Sequence, residues 1–225
     1  MKILAIDTST EACSVALAID DNVNERFELV QQRHSECLLP MVQALLAEAS
    51  LGLSQLDAIA FSRGPGSFTG LRIGAGVTQG LAFGADLPVV AISSLAALAQ
   101  GQNMQKILAA FDARMGQVYY GAYRRNAQGL VELWGTESVV APDAVSLPMD
   151  SDSDWVGAGN GWDQYTEQLL TGLKDRVKTW LPQCYPHAKD IITLAKDSVA
   201  RRDVIAPQAA IPVYVRDDVA KKAFK

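Results

Sequence analysis

The stretch Lys2-Ile-Leu-Ala-Ile-Asp7 (KILAID) returns almost unchanged as Lys106-Ile-Leu-Ala-Ala-Phe-Asp112 (KILAAFD). Each copy is an apolar, strand-forming run that ends in an aspartate, and each is followed by a short polar turn and a second apolar strand. Four identical residues would be weak evidence of a repeat, but the aspartate, the turn and the next strand correspond as well. The sequence therefore predicts a duplicated α/β fold.

Working outward from the two copies, the first half is predicted in the order β-β-β-α-β-α-β-α. Its strands are expected at 2–7, 13–19, 23–30, 56–61 and 88–92, and its helices at about 38–49, 68–84 and 94–101. Ser35 is a candidate N-cap of the first helix, in which Pro40 marks a kink or the first turn.

The second half is predicted to be less regular, with strands at 106–112 and 117–123, a further stretch at 130–140, and a loop at 142–154. A glycine-rich run follows at 155–161, with helices at 162–171 and 187–201. We expect two domains, 1–102 and 103–225, and leave open whether the C-terminal segment packs back on the first.

Composition narrows the classes of function. The 225 residues are 49% hydrophobic and 20% charged, with a net charge of −5, which argues against strong independent binding to nucleic acid. Cys13, Cys37 and Cys184 form no CxxC pair, which favours free thiols in a reducing compartment. The first apolar run is too short for a signal peptide or a membrane span, so we expect a cytoplasmic protein without membrane contact.

Five motifs together carry a family resemblance. They are Ile3-Leu-Ala-Ile-Asp-Thr-Ser-Thr10, His34-Ser-Glu-Cys-Leu-Leu-Pro40, Gly64-Pro-Gly-Ser-Phe-Thr-Gly-Leu-Arg72, Asp112-Ala-Arg-Met-Gly-Gln-Val-Tyr119 and Pro212-Val-Tyr-Val-Arg216. These motifs resemble the TsaB (YeaZ) family, and the two related β-β-β-α-β-α halves resemble the actin/Hsp70/sugar-kinase (ASKHA) fold. The resemblance spans nearly the whole chain.

The resemblance implies a role in forming threonylcarbamoyladenosine at position 37 of tRNAs that read codons beginning with A. It also implies two partners, the TsaD transferase subunit, which carries a metal, and the ATPase TsaE. TsaD-like proteins place two histidine ligands in the helix that corresponds to 91–98 here, and that segment contains no ligand. With only His34 and His187 in the chain, we expect no metal site.

Three residues are candidates for binding a nucleotide. Asp7 and Ser9 lie where an ASKHA ATPase has its first phosphate loop, and Asp112 lies at the second copy. The alternative is an aspartate that ends a strand and caps a turn. At the second copy, Arg114 replaces a small residue and would occupy phosphate space. We expect no cofactor in the isolated chain, and a nucleotide only within a larger complex.

Two further features have a functional and a structural interpretation. The loop Gly64-Pro-Gly66 follows a strand and precedes a helix, as phosphate loops do, but Pro65 lacks an N–H and no Gly-Lys-Ser/Thr follows, which favours a structural turn. His34 is either a general base or a hydrogen-bonding residue at the start of a helix.

Two helices are predicted to form a surface for the TsaD-like subunit. One contributes Leu38, Val42, Leu45 and Leu46, and the other contributes Gly70, Gly74, Gly76 and Gly80. Gly76, Gly80 and Gly84 lie on one helical stripe and Gly70 and Gly74 on another, and one stripe must face the core. The same surface is predicted to form a homodimer when that subunit is absent.

The sequence therefore predicts a non-catalytic partner subunit that contacts tRNA only indirectly. The alternative is an ATP-dependent enzyme, an ATPase or a phosphotransferase, that uses Asp7 and Asp112.

Overall fold

The computed structural model describes residues 1–148 and 154–215. The first half contains strands β1 (Lys2–Asp7), β2 (Ala12–Ile19), β3 (Asn22–Leu29), β4 (Ala58–Gly64) and β5 (Val89–Ser93), and helices α1 (His34–Glu48), α2 (Phe68–Ala85) and α3 (Ser94–Gln100). The second half contains strands β6 (Lys106–Asp112), β7 (Val118–Arg125), β8 (Val131–Leu133), β9 (Ser138–Val140), β10 (Trp155–Ala158) and β11 (Val177–Leu181), and helices α4 (Asn160–Leu173) and α5 (Ala188–Arg201). Residues 149–153 of the predicted 142–154 loop lie outside the described residues, as do residues 216–225, which include Arg216 of the fifth motif and end the predicted second domain.

The two sheets have the same topology. The first has the strand order β3-β2-β1-β4-β5, and the second has β8-β7-β6-β10-β11, with β9 added beside β7. In each sheet the repeated strand pairs antiparallel with the strand that follows it and parallel with a later strand, β4 or β10. The predicted duplication and the two-lobed α/β fold of the ASKHA type are confirmed.

Two helices cross between the halves. Helix α5 packs on β1, β2, β4 and β5 of the first sheet, where Ile191 and Ile192 join Ile3 in a buried cluster. Helix α3 packs on β6, β7 and β8 of the second sheet, where Leu95 and Leu98 are buried. Each sheet is therefore covered on one face by a helix that belongs, in sequence, to the other half.

The structure corrects two details of the sequence prediction. Helix α1 begins at His34, with Arg33 rather than Ser35 at the N-cap, so Pro40 lies inside the second turn. Pro40 is exposed, and the carbonyl oxygen that it leaves without a partner belongs to Glu36, which is exposed as well. Strand β11 was not predicted, because only its first residue is buried and its apolar alternation is short.

In the described part of the second half, no helix corresponds to α1. Between β9 and the end of the first described range it has only a single 3-10 turn, at Pro142–Ala144. Helix α1 therefore lies on the first sheet alone, packed against β2 and β3. No helix in residues 1–148 and 154–215 combines the length and apolar character needed to cross a bilayer.

Candidate functional site

Asp7 ends β1 and is fully buried. Its carboxylate accepts hydrogen bonds from the backbone N–H of Ser9 at 3.1 Å, from the Ser9 hydroxyl at 3.0 and 3.1 Å, and from the Ser62 hydroxyl. Burial raises the pKa of Asp7 to about 6, and the hydrogen bonds from Ser62 and Ser9 lower it only in part. These hydrogen bonds to the Asp7 carboxylate hold the end of β1 and the turn after it in place.

The turn after Asp7 is closed by the start of α2. The Thr8 hydroxyl donates to the Gly70 carbonyl at 2.8 Å, and the Ser67 N–H donates to the Ser9 carbonyl at 2.7 Å. The backbones approach so closely that a Cβ added at Gly66 would lie 2.2 Å from the Ser9 oxygen, and one added at Gly70 would lie 2.0 Å from the Thr8 oxygen. The backbone at the start of α2 therefore lies directly against the turn after Asp7, which favours the interpretation of the Gly64-Pro-Gly66 loop as a structural turn.

Asp112 lies at the corresponding position of the second copy, with a different set of contacts. Its carboxylate accepts from the Arg114 N–H at 2.8 Å and from the Tyr165 hydroxyl at 3.2 Å, and the Arg114 guanidinium lies 3.2 Å away. Asp112 and Asp7 share no hydrogen-bonding partner among these contacts. Asp7 and Ser9 therefore hold the turn after β1, and Asp112 holds the turn after β6 and contacts α4.

His34 has a structural role as well. It is buried, and its Nε2 lies 3.1 Å from the carbonyl oxygen of Ala12, which can only accept, so Nε2 carries the proton and donates. Glu36, two residues after His34 in α1, is exposed. Within the described ranges no three His, Cys, Asp or Glu side chains are grouped so as to hold a metal ion.

The four residues of α1 that the sequence predicted for the partner surface are buried, which corrects that prediction. The four predicted side chains belong to the main core cluster of the first half, together with strand residues such as Leu4 and Phe61. Their exposed fractions are at most 9%, for Leu38, Val42, Leu45 and Leu46. The broad apolar face of this helix is the face that packs on its own sheet, because the sheet must be covered there.

The glycines of α2 divide into two groups. A Cβ added at Gly74 would lie 2.4 Å from the Thr8 hydroxyl oxygen, so Gly74 faces the interior, as Gly70 does. Neither glycine is part of the surface that the sequence predicted for a partner. At Gly76, Gly80 and Gly84 an added Cβ meets no atom within 4 Å in the described part of the chain, apart from the helix's own neighbouring backbone. The second stripe therefore faces outward.

Aromatic side chains lie at both ends of this outward stripe. Phe83 is 71% exposed and Phe68 is 56% exposed. The Arg72 guanidinium lies 3.7 Å from the centre of the Phe68 ring, and its Nε donates to the Tyr214 hydroxyl at 3.0 Å. We define the α2 surface as the outward-facing residues Phe68, Arg72, Gly76, Gly80, Phe83 and Gly84. The two phenylalanines and Tyr214 were not among the residues predicted to bind a partner, although both phenylalanines are in helical register with the glycines.

The raised pKa of Asp7 predicts an unusual dependence of stability on pH. Between the unfolded pKa of 3.8 and the folded pKa of about 6 the native state binds the extra proton, so the free energy of unfolding falls as pH rises through that window. At about 1.4 kcal/mol per pKa unit, the loss by pH 7 is about 3 kcal/mol. Asp7→Asn removes the ionisation, so its stability relative to the natural chain should rise by about 2 kcal/mol between pH 4.5 and pH 7.

Urea unfolding at pH 4.5 and pH 7 measures this difference. Asp175→Asn, which removes an exposed carboxylate, is the control for general charge effects. Hydrogen bonds lost in the amide shift the whole Asp7→Asn curve without changing its slope. Parallel pH curves for Asp7→Asn and the natural chain would contradict the prediction.

Comparison with known proteins agrees with this geometry. The model of the family described as TsaD, tRNA N6-adenosine threonylcarbamoyltransferase, matches residues 26–224. Two relatives named tRNA threonylcarbamoyladenosine biosynthesis protein TsaB are similar over almost their whole length. The one from Escherichia coli K12 is 43% identical over 99% of this chain and 97% of its own. The one from Haemophilus influenzae is 39% identical over 99% of this chain and 96% of its own.

A solved structure is similar as well. YeaZ from Pseudomonas aeruginosa superposes with a TM-score of 0.87 at 45% sequence identity, covering 95% of this chain and 99% of that one. Similarity of this extent includes both halves, α1 and α2. The chain belongs to the TsaB (YeaZ) family, which shares the TsaD-like domain.

Proposed function

We propose that the chain is a non-catalytic subunit needed to form threonylcarbamoyladenosine in tRNA, and that it acts by binding and stabilising a TsaD-like transferase subunit. A TsaE-like ATPase is the further partner of this assembly. The proposal is supported by the names of the full-length relatives, which are tRNA threonylcarbamoyladenosine biosynthesis proteins. The modified base would be adenosine 37 of tRNAs that read codons beginning with A.

The outward glycine stripe of α2 is the observation that carries this proposal. Each glycine inside a helix costs about 0.8–1 kcal/mol relative to alanine, and these three exposed glycines weaken the helix without gaining a contact from residues 1–148 or 154–215. Glycines without side chains let the backbone of a second helix approach closely, and the exposed Phe68 and Phe83 supply aromatic anchors at the two ends. We infer that a helix of the TsaD-like subunit packs across this stripe.

The same surface supports a second state of assembly. Two proteins with similar first halves present similar helices, so a copy of this chain and a TsaD-like subunit would compete for one surface. The homodimer and the heterodimer would then exclude each other. Adding the TsaD-like subunit to the purified chain should convert any homodimer into a one-to-one complex, as sedimentation measures. A ternary complex that retains the homodimer would contradict this arrangement.

The remaining contacts follow from charge and chemistry. A net charge of −5 leaves the chain poorly suited to hold tRNA itself, so we propose that tRNA is bound through the partner subunit. We also propose the cytoplasm as the location, because Cys13, Cys37 and Cys184 are all unbridged, as is usual in a reducing compartment.

The ATP-dependent enzyme remains the competing proposal, and it makes a different prediction. Because the start of α2 fills the turn after Asp7, we expect no ATP hydrolysis above background by the isolated chain. Asp7→Ala should cause no further loss. A phosphate-release assay with the natural chain and with Asp7→Ala distinguishes the two proposals. A robust rate of ATP hydrolysis that Asp7→Ala abolishes would favour the ATP-dependent enzyme.

A further inference from the structure

Strand β3 forms one border of the first sheet. It pairs with β2 on its inner side, and no other strand of residues 1–148 and 154–215 pairs with its outer edge. An unpaired edge of eight residues offers a row of backbone N–H and C=O groups to another chain. The side chains around this edge indicate what kind of chain it suits.

The register shows which backbone groups are open. Val30 donates its N–H to Glu11, and the pairing of β2 with β3 continues from there without a shift. Because hydrogen-bonded and non-hydrogen-bonded pairs alternate in an antiparallel ladder, the even-numbered residues of β3 bond to β2. The odd-numbered residues therefore direct their N–H and C=O groups outward, and these are Val23, Glu25, Phe27 and Leu29.

A cavity of about 530 Å³ lies beside the edge on the face covered by α5. Phe27 and Leu29 line it from the strand, and Tyr185 and His187 line it from the segment before α5. The Phe27 ring stacks on His187 with 4.4 Å between ring centres, yet Phe27 is still 37% exposed and Leu29 is 50% exposed. The far side of this α5-side cavity is polar and includes Gln102, Gln183, Lys189 and Asp190, whereas its side next to the strand edge is apolar and aromatic. The part beside the edge therefore suits apolar or aromatic side chains.

A second cavity, of about 680 Å³, lies on the opposite face, between β3 and α1. Its apolar lining is contributed by Cys37, Pro40, Met41 and Ala44 of α1. The charged side chains that line this cavity are three carboxylates and one guanidinium, so negative charge is in excess.

Arg26 is paired with Glu48, and Glu28 lies 3.6 Å from Arg33, whereas Glu36 takes part in no ion pair of the described residues. An aliphatic wall with an unbalanced carboxylate suits a side chain that has an apolar stem and a cationic head. This α1-side cavity therefore favours lysine or arginine.

We propose that the open edge of β3 binds an extended segment of a partner protein as a sixth strand, in which apolar side chains alternate with lysine or arginine. Both cavities include Phe27, so they meet at the same point of the edge, one on each face of the sheet. Successive side chains of a strand point to opposite faces, and an added strand would place its basic residues near Glu36 and its apolar residues near Phe27 and Leu29.

This edge is separate from the α2 surface. Helix α2 packs mainly over β4, which two strands separate from β3 in the sheet, so the proposal does not rest on the function proposed above. Substitutions at the two places distinguish the two ideas, because Gly80 takes no part in the edge and Glu36 takes no part in the α2 surface.

A labelled nonapeptide that alternates isoleucine with lysine is the probe. Fluorescence anisotropy with the full chain should show saturable binding, and a matched peptide with glutamate in place of lysine should bind at least about tenfold more weakly. Nuclear magnetic resonance should show amide exchange slowed at Val23, Glu25, Phe27 and Leu29, with little change at the even-numbered residues of β3. No saturable binding, or slowed exchange elsewhere, would overturn the proposal.

Two substitutions test the chemistry separately from the fold. Glu36→Lys should weaken binding of the lysine peptide about fivefold or more, while Glu167→Lys, the same charge change at an exposed position of α4, should leave it unchanged. Leu29→Pro removes one outward N–H without touching the pairing with β2, and should weaken binding of both peptides. If instead Leu29→Pro abolishes a concentration-dependent self-association and has no effect on peptide binding, the edge pairs with a second copy of the chain and the proposal is wrong.

Discussion

Replacing Gly80 with leucine should abolish measurable association with the TsaD-like subunit and leave the melting temperature of the isolated chain unchanged or slightly raised. Gly80 is exposed, and an added Cβ has no contact within 4 Å in the described chain, so the larger side chain meets no internal obstacle. Leucine also favours the helix over glycine by about 0.8 kcal/mol. Pushing a close-packed partner helix away should weaken binding by about 3 kcal/mol, or more than about a hundredfold in Kd.

Gly74→Leu is the matched control on the inner stripe. Its Cβ would lie 2.4 Å from the Thr8 hydroxyl oxygen, so the substitution should destabilise the monomer by about 1–3 kcal/mol or more through overpacking. Calorimetric melting and titration with the TsaD-like subunit measure both effects. If Gly80→Leu binds normally, the partner does not use the outward stripe.

Leu38→Ala should lower the free energy of unfolding by about 2–5 kcal/mol, because Leu38 is fully buried and the truncation leaves a cavity in the core of the first half. The affinity of the remaining folded protein for the TsaD-like subunit should not change. This outcome would differ from the one expected if Leu38 were a contact residue.

Its neighbour Leu39 provides the comparison. Leu39 is 43% exposed, so Leu39→Ala should change stability by less than about 0.5 kcal/mol. Urea unfolding of both variants, followed by titration of the folded protein, separates a core effect from an interface effect. Equal losses of stability at the two positions would contradict the burial described here.

The repeated strand made the fold predictable from sequence. Both copies of the KILA segment are buried strands that form the centre of their sheets, and strong apolar runs that end in a polar turn are informative about local structure. The exchange of α3 and α5 between the halves was not predictable in this way. An amphipathic helix such as α5 shows that one face is buried, but its own sequence does not say which sheet covers that face.

The partner surface was predictable only in part, for the same reason. Leu38 and Leu45 recur at helical spacing, and such a stripe fits the chain's own sheet as well as a second protein. Two stripes of glycines spaced four residues apart, on different faces of the helix, are equivalent in sequence, and only the position of Thr8 distinguishes the inner Gly74 from the outer Gly80. Contacts between distant segments therefore decided which residues remain for a partner.

The nucleotide candidates illustrate a different limit. Asp7 and Ser9 have the spacing of a strand end and a polar turn, which is compatible with a phosphate loop and with a capped turn alike. What separates the two is the approach of Gly70 to Thr8, which lies 62 residues earlier in the chain. A short motif contains no information about what fills the space beside it.

Formation of threonylcarbamoyladenosine in tRNA, measured by mass spectrometry, tests the central claim most directly. The reaction would contain the TsaD-like subunit, the TsaE-like ATPase, a threonylcarbamoyl donor and either the natural chain, Asp7→Asn or Gly80→Leu. A non-catalytic subunit that acts through the α2 surface predicts full product with the natural chain and with Asp7→Asn, and background product with Gly80→Leu. Loss of product with Asp7→Asn while its binding to the TsaD-like subunit stays normal, or full product with Gly80→Leu, would contradict it.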